Sequence, residues 1–299
     1  MTALVNAIVM LGMLLIIPMG LRLIDDPVPQ RLARLWPWLS IPGAVALWLP
    51  RGTLSTALAS VYAIGTMALA LGAPARLRRT RSLAPAEIAT LTALASPAVA
   101  GVALVAERSG HRLFGFELEM LALTVPHFHF AGFTAALVAG LVCRAVTHAP
   151  LSRFAALSVP FGTLLVLAGY FVNDETELAG ALVLTAGMWA VALLTWREIR
   201  PGSGRLNRAL LGVSAASLAA TMVLALCWAV GEVTGLPHPS LTWMAATHGI
   251  GNALGFGLCS VLAWQRLGRT PGAGRGAPAP VHDARETHDA RDTHRAGTV

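Results

Sequence analysis

Apolar and polar positions alternate along this chain in long blocks, not residue by residue. Nearly uninterrupted apolar runs occupy 3–21, 36–50, 53–73, 87–106, 119–143, 154–173, 178–196, 209–231 and 241–264, and the charges fall in the short connections between them. About 20 consecutive apolar residues carry a helix across a bilayer, and a helix satisfies every backbone group within hydrocarbon. The pattern therefore predicts an all-α, polytopic membrane helix bundle of nine spans. The second run is the shortest and holds Pro37 and Pro42, which fits a broken or re-entrant helix as well as a full crossing. The first has no basic residue before it and no small-residue cleavage site, so it reads as a retained helix and not as a removed signal peptide.

Composition agrees: 55% of the 299 residues are hydrophobic and only 12% are charged, with a mean hydropathy of +0.64. Soluble domains carry about a quarter charged residues. The net charge of +7 comes from arginine alone, there being no lysine, and gives no basic stripe of the kind that would bind nucleic acid. Its distribution carries topology. With the N-terminus outside, the cytoplasmic connections hold Arg22, Arg31 and Arg34, then Arg76 to Arg81, then Arg144 and Arg153, then Arg197 to Arg208. The opposite side receives Arg51, the mixed stretch from Glu107 to Glu119, the acidic turn at Asn173 to Glu177, and the connection from Glu232 to Pro239. The positive-inside rule is met by nine spans, N-out and C-in, in the plasma membrane as a multi-pass protein.

The chain divides into a transmembrane domain, 1–268, and a tail, 269–299. After Trp264 the composition turns to Gly, Pro, Arg and Ala and then to a His-Asp-Ala-Arg echo without apolar side chains to bury, which predicts a disordered cytoplasmic tail. Cys143, Cys227 and Cys259 lie in or at the ends of apolar runs with no CxxC spacing, so they read as small buried hydrophobes and not as a disulfide framework.

Chemistry concentrates in two apolar runs. Pro126-His127-Phe128-His129-Phe130-Ala131-Gly132-Phe133 sits in the fifth, and His248-Gly249-Ile250-Gly251-Asn252-Ala253-Leu254-Gly255-Phe256 in the ninth. Imidazoles inside hydrocarbon mark functional sites by default. Both runs enter from the outer side, so at 1.5 Å per residue His127 lies about 10 Å down its helix and His248 at nearly the same depth. His127 and His129 are about 200° apart around a regular helix and cannot face one point unless Pro126 distorts it. His248 and Asn252 share a face. The expected pairing in one pocket is His129 with His248. The sixth helix leaves on that side at Tyr170, Asn173 and Asp174, and the eighth at Glu232, so carboxylates are expected to cap the pocket, with Asp174 ranked above Glu232.

Three chemistries suit this set. A divalent metal such as zinc on His127, His129 and His248 would activate water. A metal-free site would use a histidine, Asp174 or Glu232 as acid or base, with Phe128, Phe133, Tyr170 and Trp243, beside Asn252 and Asn173, holding the substrate. Haem between facing histidines is the third. Against all three stands the plainer reading, in which a membrane histidine is an interhelical hydrogen-bond donor. His111, His148 and His238 fall in connections, where that reading is favoured, and Glu107, Glu117 and Glu119 read as interfacial.

The two histidine segments resemble the pair of signatures in the YndJ-like family of bacterial membrane proteins, which implies a shared site and supplies no activity. The reading is an outward-facing, histidine-centred membrane enzyme acting on a lipophilic small molecule (an isoprenoid, polyketide or lipid) by cyclisation, isomerisation or hydrolysis. The alternative is a transporter or a ligand or proton sensor. A transporter usually shows an internal repeat, and none is visible between the two halves.

Overall fold

The computed structural model describes residues 2–269, and within them the backbone forms nine rods: α1 (Thr2–Leu21), α2 (Pro27–Ala46), α3 (Thr53–Thr80), α4 (Pro85–Ser109), α5 (Leu118–Ala145), α6 (Ala149–Val172), α7 (Asp174–Ile199), α8 (Arg205–Thr234) and α9 (241–269). No strand occurs among the described residues. Seven of the rods, all but α2 and α9, are long and apolar enough to cross a membrane. The tail assigned to 269–299 lies outside the described residues, apart from the backbone of Arg269.

Local chemistry sets the ends. Asp26 caps α2, its side chain accepting from the Val28 amide at 2.9 Å, and Pro27 follows at the first helical position, where its missing N–H costs nothing. This corrects the second predicted segment, which was expected to begin near 36. The hydropathy of 27–35 is low because Arg31 and Arg34 are there, but capping starts the helix all the same, and it runs through Pro37 and Pro42 unbroken. Gly110 and Gly235, at φ of 73° and 69°, end α4 and α8 in the left-handed conformation that lacks a penalty only for glycine.

Two buried ion clusters bolt the bundle at opposite ends. At one, Arg76 of α3 pairs with Glu87 of α4 and with Asp26 at 3.1 Å, and Arg144 of α5 reaches Thr90 at 2.8 Å. At the other, Glu107 pairs with Arg108 and with Arg51 at 2.9 Å, while Arg108 also donates to the Ala46 and Leu49 carbonyls at the end of α2. Glu107, expected at the interface, is buried.

Helices α6 and α7 approach backbone to backbone. A Cβ on Gly162 would lie 2.5 Å from the Leu184 amide nitrogen, so nothing larger than hydrogen fits. Four rods carry π-helical turns: Gly12–Ile16 in α1, Phe128–Thr134 in α5, Thr195–Ile199 in α7, and Ala245–Gly249 with Gly251–Leu258 in α9. Those of α1, α5 and α9 pack on one another. Such bulges concentrate at functional sites because each re-aims the side chains beside it.

Candidate functional site

A chamber of about 650 Å³ opens between α1, α4, α5, α6, α7, α8 and α9. Each long wall is a helical stripe. On α7 it is Glu177, Ala181, Leu184 and Met188; on α8 it is Leu218, Met222, Ala225, Ala229 and Glu232. Spacings of three and four place each set on one face. The stripes are apolar along their length and end in a carboxylate, so the chamber is greasy inside and acidic at one end.

The α5 wall runs Met120, Thr124, His127 and Ala131, and the α9 wall Met244, Ala245, His248, Asn252 and Phe256. His127 and His248 therefore share the chamber. His248 is held on both sides: its Nδ1 donates to the Thr221 carbonyl at 2.9 Å and its Nε2 accepts from the Asn252 amide at 2.9 Å. Asn252 is itself fixed, its Oδ1 accepting from the Thr221 hydroxyl at 2.8 Å. This arrangement satisfies every group with a neutral ring protonated on Nδ1. His127 has no hydrogen-bond partner among the described residues. Its ring touches Phe128, with centroids 5.5 Å apart, and both its nitrogens are left to whatever enters the chamber.

His129 is elsewhere. It is fully buried on the opposite side of α5, with its Nε2 2.6 Å from the Tyr62 hydroxyl, its Nδ1 unpaired, and its ring pressed on Gly12 of α1. The expected pocket of His129 with His248 is thus corrected to His127 with His248. The distortion attributed to Pro126 is real but follows His127, as the Phe128–Thr134 π-turn, and leaves the two rings on opposite faces. The three-histidine metal centre does not assemble, and no group of three His, Cys, Asp or Glu side chains among the described residues is arranged to hold a metal ion. Of the histidines considered for haem, His248 has both nitrogens and His129 its Nε2 engaged in hydrogen bonds.

The remaining candidates divide. Phe128, Tyr170, Asn252 and Glu232 line the chamber. Asn173 does not: it caps α7, accepting from the Thr176 amide at 2.9 Å. Asp174, the next residue, is exposed in the first turn. Phe133 is buried against Gly20 of α1, and Trp243 points away from the chamber with half its surface exposed. The cysteines are all free thiols, and Cys227 is exposed, contrary to the buried role expected of it.

Two features escaped the sequence reading. Glu177 is the carboxylate of α7 that faces the chamber, and the stripe from Glu177 through Ala181, Leu184 and Met188 was the pattern to read it from. An aromatic rim also forms where the α4–α5 connection folds over the end of α6. Phe116 lies 5.4 Å from Phe171 and 6.3 Å from Tyr170, and Phe114, held at a φ of 54°, lies 5.5 Å from Phe171. No periodicity in that connection announces it.

Known proteins add one fact. No curated protein and no solved structure matches the chain. The family described as YndJ-like protein matches residues 7–256, taking in the chamber walls, His127, the His248–Asn252–Thr221 group and both mouth carboxylates. Covered over most of its length by that match, the chain belongs to the YndJ-like family.

Proposed function

We propose that this is an integral membrane enzyme acting on a lipophilic small molecule, of the isoprenoid, polyketide or lipid class, with His127 as the acid or base. The observation that carries the reading is His127 itself, an imidazole with two uncommitted nitrogens facing an otherwise apolar chamber of ligand size. General acid–base catalysis needs a group that touches the reacting proton and is not already tied up, and contributes typically 10²–10⁴-fold. His248, locked as a neutral ring by Asn252 and Thr221, serves as a fixed polar contact that orients the ligand. The chemistry that fits is proton transfer at a carbon or hydroxyl, as in isomerisation, cyclisation or hydrolysis. By the arginine distribution the acidic mouth faces outward across the plasma membrane.

The test uses substrate the membrane already contains. Purified protein in nanodiscs, incubated with total lipid extract and followed by mass spectrometry, is expected to convert at least one lipophilic species, and His127→Ala is expected to abolish the conversion. Identical lipid profiles with and without wild-type protein, from extracts of several bacteria, would count against an enzyme.

A further inference from the structure

We infer that the ligand of this chamber is a lipophilic cation, an amine or quaternary ammonium on a hydrocarbon body, with its charged head at Glu177 and Glu232. The inference rests on the reading of the chamber as a ligand site and adds the charge class.

Four observations point the same way. First, no arginine among the described residues lines the chamber; its charged lining residues there are Glu177 and Glu232. Second, Glu177 at the start of α7 and Glu232 at the end of α8 line the same end of the chamber, with the exposed Asp174 in the same turn as Glu177. His238 meets Glu232 at 3.1 Å, and Arg112 is spent on Glu117 at 2.9 Å on the surface. The Glu177 carboxylate has no ion pair or hydrogen bond among the described residues.

Third, helix position accounts for only one of them. Glu177 shares the first turn of α7 with Asp174 and Glu175, where the helix dipole favours a carboxylate, and it alone of the three lines the chamber. Glu232 lies in the last turn of α8, where the helix dipole disfavours a carboxylate. Fourth, the same end of the chamber is walled with rings. Trp228, Tyr170, Phe116 and Phe171 all line it, and the negative faces of such rings attract a desolvated cation. A fatty acid or a prenyl diphosphate would bring its anion to this mouth and be repelled, while a cationic head would relieve the mutual repulsion of the carboxylates.

The experiment uses three probes of nearly one shape and different charge: tetraphenylphosphonium, neutral tetraphenylsilane and tetraphenylborate. Binding to the detergent-purified full chain is measured by equilibrium dialysis against protein-free micelles. The phosphonium is expected to bind at least about tenfold tighter than the borate, the silane in between, and Ala98→Trp, which fills the chamber from α4, is expected to remove all three. Glu177→Gln is expected to reduce the preference, and Glu177→Gln with Glu232→Gln to erase it while leaving silane binding unchanged. If the silane binds but phosphonium and borate bind equally, or if the preference survives in both the single and the double variant, the cation inference is overturned while the chamber reading stands. If no probe of any charge binds above the micelle blank, both fall.

Discussion

Two histidines separated by one residue have different jobs, and the difference is measurable. His127 faces the chamber without a partner, whereas His129 is sealed in the core with Tyr62. His127→Ala is expected to cut turnover a hundredfold or more, the order of a lost acid or base, with little change in thermal midpoint. Tyr62→Phe should do the reverse. It strips the last partner from a fully buried imidazole whose Nδ1 is already unpaired, at a cost of about 1–3 kcal/mol, and should lower the melting temperature while chamber binding persists. If Tyr62→Phe abolished binding with stability intact, His129 would belong to the site after all. Asn252→Ala should fall between the two, since it frees His248 Nε2 and releases the ring to rotate. At this scale the sequence was half legible. The His248–Asn252 face followed from spacing alone, but the choice between His127 and His129 depends on which face of α5 meets α9, and that is decided by packing between helices far apart in the chain.

At the scale of elements, hydropathy places all nine rods because each must bury or expose whole apolar faces, and their ends follow from caps such as Asp26, Asn173 and Ser240. Pro126 marked the distortion in α5, but the π-turns of α1, α7 and α9 were not legible, because inserting a residue into a turn leaves no mark in composition. Neither was Glu177 singled out, although its place on the α7 stripe could have been counted. The closest helix contact yields a prediction of its own. At Gly162 even one methyl group would meet the Leu184 backbone nitrogen, which cannot swing aside. Gly162→Val is therefore expected to destabilise the bundle by about 1–3 kcal/mol through overpacking, read as a lower midpoint in detergent thermal unfolding. An unchanged midpoint would mean that α6 and α7 sit further apart.

For the whole molecule, the ion clusters at Arg76–Glu87 and Glu107–Arg108 fasten the two ends of the bundle, while the chamber between them is left apolar and open at its acidic rim. On the proposed N-out arrangement, read from the arginine distribution, that rim faces outward. A cysteine replacing Thr176 in a cysteine-free background should react with a membrane-impermeant maleimide added outside intact cells, and one replacing Ser203 should not. The opposite pattern would invert the molecule. The central claim, that the chamber holds a lipophilic ligand, is tested most directly by what the protein carries when it is purified. Solvent extraction of wild type and Ala98→Trp from the same membranes, followed by mass spectrometry, is expected to find one lipophilic species near one per chain in the wild type and absent from the filled variant. The same bulk lipids in both, with no species that depends on an open chamber, would contradict the account.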